Sequence, residues 1–323
     1  MIVDIFLLAI GFTLLIAGAG KLIDGSSAIA RKFNIPDIVI GLTIVSLGTS
    51  APEMVVNILA SVKNEPAMVL GNVLGSNIFN VLMVLGITTL FGKLKVKRNT
   101  TRLEIPLSLL GALLVFVTAS DVLLDKQSFN IISRIDGIVL LSLAIIFLVY
   151  NLELAKKEND DVTVKIKERP ILISVLWLLA GLAGLIIGGK LIVESATAIS
   201  RAFGISERII AITVISVGTS LPELATSLMA VKKGKVDLAI GNVVGSNIIN
   251  VFLILGLSAL IHPINVAINS FPDIYMNIAA SLLLFLFLLF SKKRELGRWQ
   301  GIIFLAIYIG YICFLLFPHN FKL

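Results

Sequence analysis

Long apolar stretches dominate this chain and restrict it to folds that can sit in lipid. A bilayer-spanning helix needs about 20 mostly apolar residues, and roughly ten segments meet that criterion. In lipid, every backbone polar group also needs a partner inside the protein. We therefore predict an all-α polytopic membrane protein with ten transmembrane helices. In chain order, the segments are 2–23, 36–62, 67–92, 103–120, 132–150, 171–193, 206–231, 237–261, 272–291 and 299–317.

The composition excludes several other classes of protein. Hydrophobic residues make up 57% of the 323 residues and charged residues 15%, whereas soluble domains average about 45–50% and about 25%. The net charge of +7 comes from short cationic runs between the apolar segments, so we expect a lipid bilayer and no nucleic acid as partner. The sequence contains no phosphate-binding loop or nucleotide motif, so neither a cofactor nor ATP-driven pumping is expected.

The distribution of Lys and Arg predicts the orientation in the membrane. Of the 27 basic residues, 20 lie in the connections after segments 1, 3, 5, 7 and 9, and 7 lie on the other side. Cationic loops stay in the cytoplasm. We therefore expect a multi-pass protein of the cell (plasma) membrane with both termini extracellular and the polar linker 151–169 cytoplasmic.

Two polar motifs occur twice at a constant spacing. Gly48–Glu53 (GTSAPE) matches Gly218–Glu223 (GTSLPE), an offset of 223 − 53 = 170 residues. Gly71–Asn77 (GNVLGSN) matches Gly241–Asn247 (GNVVGSN), again 241 − 71 = 170. A shared offset at two separate motifs indicates an internal duplication.

The duplication predicts the domain organisation. Residues 22–90 align on 192–260 without a gap. We predict a first five-helix repeat at 1–150, a linker at 151–169 and a second repeat at 170–323. Because five is odd, the second repeat enters the membrane inverted, an architecture typical of transporters with a substrate site near the midplane.

Each repeat carries one glutamate deep in an apolar segment, Glu53 and Glu223. A carboxylate at the centre of a membrane helix costs about 2.5–3.5 kcal/mol or more. If the inverted repeats bring the two carboxylates together, one takes up a proton unless a cation lies between them. A hard divalent ion with oxygen ligands fits such a pair. The alternative is a protonated or locally hydrogen-bonded glutamate with no ion.

A proline precedes each glutamate, Pro52 and Pro222. Proline removes an amide donor and clashes with the carbonyl four residues back, so the helix should break beside each acid. A simple packing kink is the alternative. Carbonyls freed at membrane depth must line a cavity or be buried, which makes them suitable cation ligands. The oxygens predicted on this basis are the carbonyls around Ser46 and Ser216. A kink alone does not explain why Thr49 and Thr219 lie one turn before each acid on the same helical face.

The second motif places polar side chains four residues apart on one helical face. These stripes are Asn72, Ser76 and Asn80, and Asn242, Ser246 and Asn250. Glycines in the same motif are also typical of close helix packing, and asparagine can hydrogen-bond between helices. We predict that Ser76, Asn80, Ser246 and Asn250 line the ion site. A structural role is favoured for Asn72, Asn242, Asn77 and Asn247.

At these paired motifs the chain resembles the sodium/calcium exchanger family of the cation/calcium antiporter superfamily, and its short linker resembles prokaryotic members. The resemblance implies that Glu53 and Glu223 coordinate calcium and, alternately, sodium. It implies further ligands around the same centre: Thr49 and Thr219, carbonyls near Ser46 and Ser216, sodium sites flanked by Ser76 and Ser246, and Asn80 and Asn250 in the middle.

The resemblance also implies a mechanism. The family exchanges about three sodium ions for one calcium ion by alternating access, which moves net charge across the membrane. Segments 1 and 6 would slide across a rigid core, and the protein would function as a monomer.

Several alternatives stay open at this point. Some relatives, notably potassium-dependent exchangers and some prokaryotic ones, carry Asp where this chain has Asn250. Proton/calcium relatives carry an acid after the Gly-Asn motif, which Gly71-Asn72 and Gly241-Asn242 lack. Both departures favour sodium/calcium exchange over proton/calcium or potassium-dependent exchange. A cation channel is less favoured. An intramembrane enzyme would need a nucleophile or a metal-ligand cluster near the glutamates, so no enzymatic activity is expected.

Overall fold

The computed structural model of the chain describes residues 2–157, 170–203 and 216–316. The protein is an all-α polytopic membrane protein: eight of the described helices are long and apolar enough to cross a bilayer. A ninth span is present if the bent pair Asp37–Thr49 and Ala51–Val62 is one span. Much of the predicted segment 206–231 lies outside the described residues, so ten transmembrane helices stay a prediction.

Ten α-helices are described in the first half of the chain. They are α1 Ile2–Lys32, α2 Asp37–Ile40, α3 Ser46–Thr49, α4 Ala51–Val62, α5 Pro66–Phe79, α6 Leu85–Phe91, α7 Arg98–Arg102, α8 Glu104–Thr118, α9 Asp121–Leu124 and α10 Arg134–Lys157. A π-helical segment, Gly41–Val45, joins α2 to α3, and a second, Asn80–Val84, joins α5 to α6.

Seven α-helices are described in the second half. They are α11 Ile171–Ala202, α12 Ser216–Gly218, α13 Leu221–Lys232, α14 Val236–Ile249, α15 Gly256–Ile261, α16 Phe271–Phe290 and α17 Arg298–Leu316. The π-helical segment Asn250–Leu255 joins α14 to α15, and a 3₁₀ turn, Ile268–Ser270, precedes α16.

Four short strands join the two halves outside the helices. β1 (Leu94–Lys95) pairs antiparallel with β4 (Glu295–Leu296), with Leu94 opposite Leu296. β2 (Asn130–Ile132) pairs antiparallel with β3 (Ile264–Val266). Each pair takes one strand from each half, so the loops at the helix ends are held in a fixed register.

Two spans form the centre of the molecule. Within Pro66–Phe91 and Val236–Ile261, 78% of the most apolar window is buried, compared with 22–44% in the other spans of the described chain. These two central spans contain both copies of the polar stripe. The second stripe is therefore enclosed by protein, as are Ser76 and Asn80 of the first, while Asn72 is half-buried.

Glycines let one central span approach the broken helix. A Cβ added to Gly241 would lie 2.7 Å from the Ile38 carbonyl oxygen and 3.0 Å from the Gly41 Cα atom. A Cβ on Gly245 would lie 2.8 Å from the Leu42 Cα atom. The close packing that is typical of this motif is therefore present at Gly241-xxx-Gly245, whereas in the first copy a Cβ on Gly71 would meet no described atom within 4 Å. The packing at Gly241-xxx-Gly245 presses the second stripe against the segment that leads to Glu53.

The helices α1 and α11 are longer than predicted. Their 31 and 32 residues correspond to about 46 and 48 Å at 1.5 Å per residue, so they must tilt in a hydrocarbon layer of about 30 Å. The predicted segments 2–23 and 171–193 end too early, since the helices continue to Lys32 and Ala202. Polar residues do not stop α1, because the Ser26 hydroxyl donates to the Leu22 carbonyl (2.7 Å) within the helix.

The predicted linker 151–169 also begins in a helix. α10 continues to Lys157, and the Asn151 side chain is buried and donates to the Phe147 carbonyl at 2.7 Å. The remaining linker residues, 158–169, lie outside the described part of the chain.

Candidate ion-binding site

The helix breaks beside Glu53 and again beside Glu223. Helix α3 ends at Thr49 and α4 begins at Ala51, and the segment Asp37–Thr49 is bent by 49° relative to α4. Ser50, at the break, has φ −82° and ψ 7°. In the second half, Ser220 has φ −93° and ψ 6°, immediately before α13. Both predicted breaks are confirmed, and each lies two residues before a proline that cannot supply an amide donor.

The two glutamates are buried at the start of the helices that follow the breaks. Glu53 is 1% exposed and Glu223 is 0% exposed. The Ser220 hydroxyl donates to Glu53 Oε1 at 3.0 Å, and Ser76 donates to the same atom at 3.3 Å. Each buried carboxylate needs such donors, because burying a charged group without hydrogen bonds is costly.

The same pattern holds Glu223 from the opposite half. Its Oε1 atom accepts hydrogen bonds from Ser50 (3.1 Å) and Ser246 (3.3 Å). Each acid therefore binds one serine from its own half and one from the other half. The two carboxylates are close enough to repel each other electrostatically. The repeated motifs thus meet at one buried centre.

Four buried oxygens at this centre have no hydrogen-bond donor among the described residues. They are Glu53 Oε2, Glu223 Oε2, Asn80 Oδ1 and Asn250 Oδ1. Buried polar atoms are nearly always hydrogen-bonded, so such exceptions need an explanation. All four are acceptors, and two belong to acidic groups. A cation coordinated by oxygen would satisfy them.

A set of amide hydrogen bonds holds the two asparagines in place. Asn80 Nδ2 donates to Asn247 Oδ1, and Asn250 Nδ2 donates to Asn77 Oδ1, both at 3.0 Å. Asn77 and Asn247 each donate to the other's backbone carbonyl at 3.3 Å. With the amide nitrogens used in this way, the Oδ1 atoms of Asn80 and Asn250 stay available to a ligand.

A second asparagine pair ties the broken helices to the central spans. Asn72 Nδ2 donates to the Glu53 carbonyl (3.3 Å), and Asn242 Nδ2 donates to the Glu223 carbonyl (3.4 Å). Their Oδ1 atoms accept hydrogen bonds from Thr219 (3.4 Å) and Thr49 (3.0 Å), respectively. These contacts fix the backbone of each glutamate.

Ser46 and Ser216 differ from the other predicted residues. The Ser46 hydroxyl donates to the Thr43 carbonyl at 3.1 Å. The Ser46 carbonyl accepts from the Ser50 amide (2.9 Å) and the Thr49 hydroxyl (3.3 Å). It is thus engaged within the helix in this conformation, although a free carbonyl was expected there. Ser216 begins α12, and its side chain lies outside the described part of the structure.

Two site residues were not predicted, Ser50 and Ser220. Each lies in the repeated Gly-Thr-Ser triplet, three residues before its half's glutamate, and each contacts the glutamate of the other half. The signal available in the sequence was that this serine is present in both copies of the motif. The π-helical segments that begin at Asn80 and Asn250 were also unforeseen; such segments are common at functional sites.

The charge of the site comes from the two glutamates alone. In the described ranges, no group of three or more His, Cys, Asp or Glu side chains could hold a metal ion. The surrounding groups are neutral hydroxyls and amides. Two negative charges with neutral oxygens match one divalent cation, or monovalent cations in alternation with it.

Comparisons with known proteins agree with this geometry. The family described as "Sodium/calcium exchanger protein" matches residues 3–153 and 173–317. The putative antiporter CaxA of Alkalimonas amylolytica is 38% identical over 96% of this chain and 98% of its own length. The sodium/calcium exchanger MaX1 of Methanosarcina acetivorans is 31% identical, covering 98% of this chain and 99% of its own length.

A solved structure is similar over almost the whole chain. The sodium-calcium exchanger NCX_Mj, soaked with Na⁺ and Sr²⁺, superposes with a TM-score of 0.82 at 34% identity. The match covers 97% of this chain and 98% of NCX_Mj.

Proposed function

Because this chain belongs to the sodium/calcium exchanger family, whose members are membrane cation/calcium antiporters and not enzymes, we propose that it exchanges sodium ions for calcium by alternating access. Sodium and calcium are the transported substrates of the family. The observation that carries the proposal is the buried pair Glu53 and Glu223, with one unsatisfied oxygen on each carboxylate. A calcium ion between them neutralises two charges and supplies the missing partner of both oxygens.

Calcium and sodium compete for the same oxygens in this account. Asn80 and Asn250 each add one unsatisfied neutral oxygen, and Ser76 and Ser246 already contact the acids. Sodium ions bound at these positions would neutralise the same pair of carboxylates. Because the pair cannot be neutralised twice, one ion species must leave before the other is held, and this competition couples the two fluxes.

Two inverted five-helix repeats, at 1–150 and 170–323, are supported by hydrogen bonds that recur between the halves. The bond from Ser50 to Glu223 corresponds to the bond from Ser220 to Glu53. Each residue of the first bond lies 170 positions from its counterpart in the second. Five spans in each unit give the units opposite orientations, which lets one repeat take the conformation of the other.

The helices α1 and α11 are the proposed moving elements. They pack along each other through glycines: a Cβ on Gly18 would lie 2.8 Å from the Gly181 carbonyl oxygen, and one on Gly188 would lie 2.7 Å from the Gly11 carbonyl oxygen. Only 22% and 28% of their apolar windows are buried. A pair joined backbone to backbone and mostly facing lipid can slide as a unit over the central spans.

Exchange is expected to be electrogenic. About three sodium ions against one calcium ion move one net charge per cycle, worth about 2.3 kcal/mol per 100 mV. With both termini extracellular and 151–169 cytoplasmic in the plasma membrane, inward sodium would drive calcium out of the cell. One chain contains the complete set of site oxygens described above, which supports function as a monomer.

Calcium uptake into sodium-loaded proteoliposomes tests the proposal. We expect uptake that requires internal sodium and is faster with an inside-positive potential, because net positive charge leaves the vesicle in each cycle. Glu53→Gln and Glu223→Gln should abolish it, whereas Glu65→Gln, at an exposed carboxylate after α4, should retain it.

The same assay separates the alternatives. Uptake driven by a proton gradient without sodium would replace the proposal with proton/calcium exchange. A strict requirement for potassium would indicate potassium-dependent exchange. Passive calcium flux that does not saturate and needs no counter-ion would indicate a channel.

A further inference from the structure

A cationic cleft lies outside the ion site, where α7, α8 and the end of α16 meet. It has a volume of about 400 Å³, and its lining combines three cations, Arg102, Lys292 and Arg294, with apolar side chains that include Phe285 and Leu289. Cations and apolar side chains in one cleft match the headgroup and the acyl chains of a lipid.

The β1–β4 strand pair lies next to Arg294, one of the residues that line the cleft. Leu94 and Lys95 of β1 pair with Leu296 and Glu295 of β4. Next to this pair, the Val96 amide donates to the Arg294 carbonyl at 2.9 Å. Arg294 has φ 50°, a left-handed conformation that the turn into β4 imposes. The strand pair thus fixes the position from which Arg294 enters the cleft.

The cations of the cleft have no acidic partner among the described residues. Within the described ranges, no carboxylate forms an ion pair with Arg102, Lys292 or Arg294. The Nε atom of Arg294 is buried and has no acceptor among the described residues. A buried donor without an acceptor is costly, and a charged one more so. An anionic oxygen bound in the cleft would supply the acceptor.

Aromatic residues place this cleft at the level of the membrane–water boundary. An adjoining cavity shares Ser291 and Lys292 with it and is lined by Trp299. Trp299 is 60% exposed, and Phe290, at the end of the same span as Phe285, is 78% exposed. Exposed tryptophan is enriched at headgroup depth, and large exposed apolar side chains belong in the hydrocarbon.

The opposite end of the molecule differs in charge. There the β2–β3 pair takes the place of β1–β4, and the end of α8 leads into Asp121 and Asp125. The Asp121 carboxylate accepts the Ile131 amide at 2.7 Å. The cationic cleft is therefore a property of one membrane face, the face predicted to be cytoplasmic from its Lys and Arg content.

We propose that this cleft binds the headgroup of an anionic phospholipid, with the phosphate held by Arg102, Lys292 and Arg294 and one acyl chain along Phe285 and Leu289. Arginine suits phosphate because its planar fork donates two parallel hydrogen bonds. Basic pockets between membrane helices at the cytoplasmic surface are known to bind such headgroups. The proposal does not depend on the ion that the protein transports.

Quenching of Trp299 fluorescence by brominated lipid tests the proposal. The full chain carrying Trp177→Phe, in which Trp299 is the remaining tryptophan, is reconstituted in phosphatidylcholine with a minor fraction of brominated phosphatidylglycerol or brominated phosphatidylcholine. We expect stronger quenching by the anionic lipid. Each of Arg102→Gln, Lys292→Gln and Arg294→Gln should weaken this preference about fivefold, since one cation near the surface is worth about that factor.

Two controls keep the test decisive. Lys63→Gln removes an exposed cation at the opposite face and should leave the preference unchanged. Excess inorganic phosphate should not displace the brominated lipid, and displacement would show a phosphate site in place of a lipid site. Equal quenching by the two lipids in the unaltered cleft would overturn the proposal, whatever the stability of the variants.

Discussion

The Ser220 hydroxyl, from the second half of the chain, lies 3.0 Å from Glu53 Oε1 in the first half. Its counterpart Ser50 lies 3.1 Å from Glu223 Oε1. Each serine lies at the break before the glutamate of its own half and contacts the glutamate of the other half. A movement of either break therefore changes the environment of both carboxylates. This crossed arrangement connects the ion site to the conformation of both halves.

Removal of the crossed serines should weaken ion binding without unfolding the protein. A hydrogen bond to a charged group contributes about 1.5–3 kcal/mol, so Ser50→Ala or Ser220→Ala should raise the half-saturating calcium concentration at least about tenfold. The double variant tests whether the two bonds act together. Ser142→Ala, which removes only a bond to the Ile138 carbonyl on an exposed helix face, should match the unaltered protein. An unchanged calcium dependence in both single variants would contradict the crossed arrangement.

Substitution at Gly241 should destabilise the core by overpacking. A Cβ there would lie 2.7 Å from the Ile38 carbonyl oxygen, and backbone cannot move aside as a side chain can. We expect Gly241→Ala to cost about 1–3 kcal/mol, visible as a lower thermal unfolding temperature in detergent. Gly310→Ala is the matched control, because a Cβ at that position meets no described atom within 4 Å. Equal unfolding temperatures of Gly241→Ala and Gly310→Ala would show that the contact between Gly241 and Ile38 is loosely packed.

An ion pair at one end of the molecule should restrain α1. Lys233 Nζ lies 2.7 Å from Asp24 Oδ1 and donates to the Gly20 carbonyl at 2.9 Å. The counterparts of this pair by the offset of 170 are Lys63 and Glu194, but Glu194 is instead 3.7 Å from Lys190. The ion pair therefore joins α1 to Lys233 at the end of α13. The corresponding contact between Lys63 and Glu194 is not made.

Breaking this tie should make α1 move more often. A partly exposed ion pair is worth about 0.2–1 kcal/mol. Asp24→Asn should therefore shift the equilibrium between the restrained and the released position of α1 by up to about fivefold. The measurement is maleimide labelling of Gly20→Cys in a Cys313→Ser background. Lys190→Gln, at the other end of the molecule, should leave labelling unchanged. A labelling rate that Asp24→Asn does not alter would show that the ion pair does not restrain α1.

Sequence reasoning located the centre of the molecule because polar residues at membrane depth are costly and were repeated. Pro52 and Pro222 predicted both helix breaks for a local reason, the missing amide donor. The polar stripes on α5 and α14 followed from helical periodicity. None of these inferences needed a tertiary contact.

The features of the site that the sequence did not predict depend on how the two halves of the chain contact each other. The roles of Ser50 and Ser220 arise from contacts between residues 167 and 173 positions apart. The choice of which asparagine oxygens stay unsatisfied follows from amide pairs across the halves, such as Asn80 with Asn247. Helix ends were also beyond reach, since α1 continues past its apolar run by bonding Ser26 back to its own turn.

Glu53 and Glu223 are proposed to hold a calcium ion together, and anomalous diffraction from crystals soaked in calcium or strontium would locate that ion. We expect one divalent-ion peak between the two carboxylates, about 2.3–2.6 Å from an oxygen of each, and its loss in Glu53→Gln and Glu223→Gln. A peak elsewhere, or crystals of the unaltered protein with no ion between these two side chains, would contradict it.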